Sequence, residues 1–126
     1  MAVPNDRKYL RSHEWFKAAG DMVTIGITQF AADELTDITY VELPKVGATI
    51  AAGASFGEIE SVKATSDLYS ALAGAVVEVN KRLSDEPELV NNDPFNEGWM
   101  LKVRCADLSP LAALMDGPAY DTQTRV

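Results

Sequence analysis

Gly57-Glu58-Ile59-Glu60-Ser61-Val62-Lys63-Ala64-Thr65-Ser66-Asp67-Leu68-Tyr69 sets one lysine, Lys63, between two segments that read as strands. Ahead of it, Ser55 to Val62 carries Phe56, Ile59 and Val62 among small and acidic residues. Behind it, Leu68 to Asn80 carries Leu72, Val76, Val77 and Val79. β-Branched residues at that density suit the pleated, half-buried surface of a sheet. No Asn-Gly or Asp-Gly pair fixes a two-residue turn between them. The connection is therefore longer, and its tip presents a side chain. A lysine there is a hydrated, mobile cation and a poor nucleophile until its proton is removed.

Outward from this hairpin the chain keeps the same texture. Tyr9-Leu10 and His13 to Lys17 read as short edge strands, with a turn at Ala18-Ala19-Gly20-Asp21. Met22 to Ile27 alternates Val23, Ile25 and Ile27 against Met22, Thr24 and Gly26, which gives one apolar face. Thr28 is placed to cap a short helix from Gln29 to Leu35. Asp37 to Leu43 is a strand that Pro44 stops, Lys45-Val46-Gly47 turns the chain, and Thr49-Ile50 is a strand fragment. Beyond Asn80 the sequence is polar, with Leu83, Leu89 and Val90 as anchors and one helical turn predicted over Glu86 to Val90. Asn91-Asn92-Asp93-Pro94 reads as a loop and Gly98 to Arg104 as a strand. Ser109 is then expected to cap a helix with Pro110 at its first position, running to Gly117-Pro118, and Ala119 to Val126 to form a last helical turn.

Many short strands, a few short helices and no βαβ rhythm predict a mainly β fold, a small antiparallel β-sandwich or flattened barrel with helical additions. Val23, Ile25, Ile27, Val41, Ile59, Val77 and Val79 are its expected interior.

The chain has 126 residues, 47% of them apolar, which predicts one domain over 1–126 with one modest core and excludes a disordered chain. A net charge of −8 disfavours nucleic acid as a partner and suits either docking to basic protein surfaces or plain solubility. The single cysteine, Cys105, permits no internal disulfide and fits a reducing compartment. No apolar run approaches the roughly 20 residues that span a bilayer. Met1 to Asp6 has neither an h-region nor an Arg-rich stretch, so the expected location is the cytoplasm, or the mitochondrial matrix if a transit segment has been removed. His13 is the only histidine, and without a second one the sequence spells no N/S metal site. Phosphate loops, nucleophile elbows and zinc signatures are absent from the sequence, so the chain is read as a non-enzyme.

The run from Glu60 to Ser70 resembles the lipoylation site of the H proteins of the glycine cleavage system. The resemblance spans nearly the whole chain. It takes in Ser12-His13-Glu14-Trp15, Gly26-Ile27-Thr28, Val41-Glu42-Leu43-Pro44, Gly74, Val76-Val77-Glu78-Val79-Asn80, Asn92-Asp93-Pro94-Phe95 and Gly98-Trp99-Met100. Many members carry Ser-Pro after the site, whereas this chain has Ser70-Ala71, which frees one φ angle and removes no functional group.

The resemblance implies a lipoyl-carrier fold of the hammerhead, or barrel-sandwich hybrid, type with an appended carboxy-terminal helix. It implies lipoate in amide linkage on Lys63. It also implies a shuttle: an aminomethyl group is taken from a pyridoxal-phosphate-dependent glycine decarboxylase, passed to a tetrahydrofolate-dependent aminomethyltransferase, and the dithiol is reoxidised by dihydrolipoamide dehydrogenase. A lipoate-attaching enzyme is a further implied partner, and a monomer is expected. In similar carriers an acid and glycines at the offsets of Glu60, Gly47 and Gly74 help that enzyme recognise the domain. From the residues alone, Gly47 and Gly74 read as turn glycines and Glu60 as a solvated strand residue. Ser12, Glu14 and Asp67 are expected near the cleft where a loaded arm rests, although Glu14 and Asp67 also read as ordinary surface acids. A biotinyl carrier would show Met-Lys-Met where this chain has Val62-Lys63-Ala64. A lipoyl donor that serves other lipoyl-dependent complexes is the alternative reading.

Overall fold

The computed structural model describes residues 3–124. Among these, nine strands form two antiparallel sheets. In chain order they are β1 (Lys8–Tyr9), β2 (Glu14–Ala19), β3 (Met22–Ile27), β4 (Ile38–Glu42), β5 (Thr49–Ile50), β6 (Ser55–Ser61), β7 (Thr65–Tyr69), β8 (Gly74–Val79) and β9 (Leu101–Arg104). One sheet runs β1-β2-β3-β9-β8-β5, the other β4-β6-β7. Short helices join them: α1 (Gln29–Leu35), α2 (Arg82–Asp85), α3 (Leu89–Asn92), a 3₁₀ turn over Ser109–Ala113, and α4 (Gly117–Thr124). No described helix is long and apolar enough to cross a membrane.

Alternation in β3 buries Val23, Ile25 and Ile27, and the register sets Val23 against Val103 and Ile25 against Leu101 on β9. From the smaller sheet, Val41, Ile59 and Leu68 join the same cluster. Burying each such side chain contributes about 1.5–3 kcal/mol, so the two sheets are held face to face by this shared interior. A second, smaller cluster of Tyr9, Trp15 and Tyr120 ties β1 and β2 to α4.

The expected interior is correct for five of its members and shifts in β8. Val76 is buried at 1% exposure, whereas Val77 and Val79 are only partly buried. A bulge explains the shift: Val76 opposes Val103 and Glu78 opposes Lys102, so Val77 is the extra residue and the alternation breaks there. The apolar run after Lys63 is also two strands rather than one. β7 and β8 belong to different sheets, and residues 70–73 carry the chain across. Ser70 is buried in this crossing, accepting from the Leu72 N–H and donating to the Leu72 carbonyl. Ala71 therefore lies in a connection and not on the strand expected from Leu68 to Asn80.

Helical boundaries differ for physical reasons. Thr28 caps α1, its Oγ1 accepting from the Ala31 N–H at 3.2 Å. The helical turn expected over Glu86 to Val90 begins only at Leu89, beyond Pro87, and runs on through Asn91 as α3, while α2 forms ahead of it over residues where the sequence predicts no helix. Ser109 does not cap the segment that follows. Its N–H donates to Asp107 Oδ1, and the segment winds as 3₁₀. Gly117-Pro118 opens α4 rather than closing its predecessor, since proline is tolerated in a first turn. α4 runs to Thr124, and the rest of the expected terminal segment lies outside the described residues.

Candidate functional site

The β6–β7 hairpin pairs Glu60 with Thr65 and Glu58 with Asp67, leaving residues 62–64 as its tip. Ser61 orders that tip. Its Oγ accepts from the N–H groups of Lys63 at 3.3 Å and Ala64 at 3.1 Å, while its own N–H donates to the Ala64 carbonyl at 2.8 Å. The Val62 N–H donates to the Asp37 carbonyl at 3.1 Å and anchors the tip to the start of β4. Lys63 is exposed at the apex of this short, internally bonded loop. Its backbone is fixed and its side chain is free.

A cleft of about 230 Å³ opens beside the tip, between the hairpin, α1 and the approach to β2. Lys63 lies on its wall together with three of the residues expected there, Ser12, Glu14 and Asp67. Ile27, Phe30, Leu35 and Leu68 give it an apolar lining. Glu14 is 1% exposed. Its Oε1 accepts from Ser12 Oγ at 2.5 Å and its Oε2 from the Tyr69 N–H at 2.8 Å. Burial pushes the Glu14 carboxyl above the usual carboxylate range, and these two bonds pull it back. Each oxygen keeps a lone pair, so the carboxylate can accept one more donor. Asp67 differs. It alternates with inward Leu68, stands exposed opposite Glu58, and Tyr69 Oη approaches its Oδ2 at 3.4 Å. Asp67 is a rim residue and Glu14 is the floor.

The other expected residues lie elsewhere. Glu60 sits on the outer face of the hairpin opposite Tyr40 and does not line the cleft. Gly47 adopts φ +94°, and its N–H donates to the Val76 carbonyl at 2.8 Å. Gly74 is not a turn glycine as expected: it opens β8, pairs with Ile50 and has no positive φ, and what requires glycine there is space, since a Cβ would come within 2.5 Å of the Arg104 carbonyl oxygen. Both glycines thus have backbone reasons to be glycine.

Comparison with known proteins bears on this site. The family model for the glycine cleavage H-protein matches residues 7–125. The chain belongs to the glycine cleavage H-protein family. It is 52% identical to a probable glycine cleavage system H protein of Haloarcula marismortui, over 96% of this chain and 95% of that one. It is 50% identical to a glycine cleavage system H protein of Bacillus cereus, over 98% of both chains. The crystal structure of an H protein from Mycobacterium marinum superposes with a TM-score of 0.89 at 38% identity, covering 96% of this chain and 98% of that one. The H-protein family is that of the lipoyl-carrying shuttles of the glycine cleavage system, and this chain shares its mainly β fold with a carboxy-terminal helix.

Reading the sequence alone missed several residues of the site. Ser61 was legible in principle, because a serine just before a turn commonly bonds the backbone ahead of it. Phe30 signals only through helical phase. His13 is placed in a strand by its neighbours, but it precedes β2 with φ +82° and turns its ring to the cleft wall. Tyr120, more than one hundred residues from His13, bonds the histidine Nδ1 at 2.7 Å, and no local pattern announces such a pairing.

Proposed function

We propose that this chain is the lipoyl-bearing carrier of a glycine cleavage system and that Lys63 is the modified residue. The observation that carries the reading is that an exposed lysine, on a tip ordered by Ser61, shares a cleft with the buried carboxylate of Glu14. An exposed ε-amine can enter an attaching enzyme's site, lose its proton there and attack an activated acyl group, forming a neutral amide. The apolar walls and the volume of the cleft suit the methylene chain and ring of such an arm. When bound, the lipoyl group supplies the disulfide–dithiol pair that takes up and gives back an aminomethyl group.

The protein's part is position and shelter. Glu14 has a spare lone pair on each oxygen for a cationic amine, and the apolar lining keeps water away from it. Ser12 holds Glu14 in one rotamer, and Asp67 offers a second carboxylate at the mouth. In this reading Glu60, exposed in part on the hairpin's outer face, meets the attaching enzyme, with Gly47 and Gly74 contributing through the backbone shape they permit. The partners in this reading are the glycine decarboxylase, the aminomethyltransferase and dihydrolipoamide dehydrogenase, met in turn by a tethered arm whose effective concentration the tether raises. Intact-mass measurement after expression with lipoate tests it. One lipoyl adduct mapping to Lys63 is expected, and an adduct on another lysine, or none, overturns the assignment.

A further inference from the structure

Tyr120 is fully buried on α4, stacked on Tyr9 at 4.8 Å, and its hydroxyl lies 2.7 Å from both His13 Nδ1 and Thr28 Oγ1. Thr28 is itself fully buried, and its Oγ1 already accepts from the Ala31 N–H. The protons in this chain can be counted. Were His13 to donate to Tyr120 and Tyr120 to Thr28, the Thr28 hydroxyl proton would be buried with no acceptor, which is unfavourable. With Thr28 donating to Tyr120 and Tyr120 donating to His13 Nδ1, every proton is used. Nδ1 is then an acceptor, and the histidine is neutral with its proton on Nε2. That nitrogen has no protein partner, and no buried side-chain polar atom among the described residues lacks one, so Nε2 reaches solvent.

The charges around the cleft give this tautomer a purpose. Glu14, Glu34 and Asp67 on its wall are acids, and the basic groups there are Lys63 and His13. Acylation turns the Lys63 ammonium into a neutral amide. His13 is then the one side chain of the wall that can still become a cation.

We propose that Tyr120 is a positioning residue for the cleft: by donating to His13 Nδ1 it holds the histidine neutral, so that the amine of the cargo is the cation the carboxylates receive. The inference rests on the carrier reading above. An imidazolium at this wall would compete with the amine for Glu14 and repel it. Burial lowers the His13 pKa in the same direction, and Glu34 on α1 opposes it. Glu14 on β2, and Asp67 and Lys63 on the hairpin, are the other charged groups of that wall. The Phe30 ring, 4.8 Å from the imidazole, closes its remaining face.

His13 is the only histidine in the chain, so nuclear magnetic resonance reads it without ambiguity. Long-range ¹H–¹⁵N spectra of the unmodified protein should show the Nε2–H tautomer and a titration midpoint below the ordinary 6.5. In Tyr120→Phe the midpoint should rise by up to about one unit, the tenfold equivalent of one lost hydrogen bond to the neutral form. The second arm uses lipoylated protein loaded with glycine and the decarboxylase, then freed of enzyme. The cargo is lost by hydrolysis: water replaces the thioether, giving thiol, formaldehyde and ammonium. The decay rate of Tyr120→Phe relative to wild type should be near one at pH 8 and rise severalfold towards pH 6, while Thr28→Ser, which keeps the hydroxyl, should follow wild type. A mere packing role would speed decay equally at every pH. An Nδ1–H tautomer in the wild type, or superimposable pH profiles, overturns the proposal. If Tyr120→Phe does not fold, the wild-type tautomer and midpoint still decide. A wild type that takes no lipoyl group sinks the carrier reading and, with it, the role of the wall, whereas a wrong tautomer in a lipoylated protein sinks only the relay.

Discussion

Glu14 Oε2 accepts the backbone N–H of Tyr69 at 2.8 Å. Glu14 belongs to the six-stranded sheet and Tyr69 to β7, the edge of the three-stranded one. A carboxylate from one sheet thus occupies the place that a neighbouring strand would take on the other. It bridges the two sheets where the cleft begins, and it does so with a group that burial would rather keep protonated.

That conflict has a pH signature. The folded-state pKa of Glu14 is raised, so the native protein binds a proton more readily than the unfolded chain. Stability therefore falls as pH rises from the ordinary carboxylate value of 4.5 through the raised native value, and the penalty is complete above it. Glu14→Gln keeps an acceptor for Tyr69 and removes the charge. Its Tm should exceed that of wild type at pH 7, and the gain should vanish by pH 4. A gain that persists undiminished at pH 4 would place its origin outside ionisation.

Lys63→Arg should abolish lipoylation and carrier activity with a stability change within ~0.5 kcal/mol, because an exposed tip side chain packs against little. Arginine keeps the charge but cannot be deprotonated to attack an acyl group. A lipoyl mass on the arginine variant would disprove the site.

The bulge in β8 separates two adjacent valines. Val76→Ala should cost about 2–3 kcal/mol, from lost transfer energy and a cavity beside Val103, whereas Val77→Ala should cost less than half of that. Urea denaturation of the two variants checks it, and equal losses would contradict the register.

Gly26 pairs with Trp15, and a Cβ added there would meet the indole Cζ2 at 2.6 Å. The ring cannot easily yield, since its Nε1 donates to the Ile27 carbonyl at 2.9 Å inside the core. Gly26→Ala should destabilise by about 1–3 kcal/mol with a red-shifted tryptophan emission. Unchanged emission and stability would show that the indole has room to move.

Glu42, Glu58 and Asp67 stand in cross-strand register on the outer face of the small sheet. Like charges directly opposite one another cost roughly 0.2–1 kcal/mol, so Glu58→Gln should stabilise the protein at low salt and less so at high salt. If the acidic face also steers docking, affinity for the decarboxylase should fall as salt is added, and a salt-independent affinity would remove that argument.

What the sequence disclosed follows from the range of the forces involved. The β3 alternation, the Thr28 cap and the lysine hairpin are local, and each appears where periodicity and side-chain chemistry put it. The β8 bulge is set by packing against β9, so Val77 is displaced for a reason that no window around it contains. Ser12, Glu14, Asp67 and Lys63 meet at one cleft as the family resemblance implied, but the separation of floor from rim depends on strand phase and on Tyr69. Glu60 and the two glycines lie away from that cleft, and the glycines are accounted for by a positive φ and a close approach. The relay from Thr28 through Tyr120 to His13 joins residues 92 and 107 positions apart in the chain, beyond any motif.

The separation of 107 positions between His13 and Tyr120 also orders events in time. Synthesis runs from the amino terminus, and the lysine hairpin is complete by Tyr69, with every one of its pairings local. The residues that line the cleft, Ser12 to Leu68, are synthesised early as well, and what waits for α4 is the Tyr120 hydroxyl that holds His13. In a chain that ends after β9 but before Gly117, the acceptor lysine and the acids of the cleft are all present, and the hydroxyl that sets the histidine's proton is the part still missing.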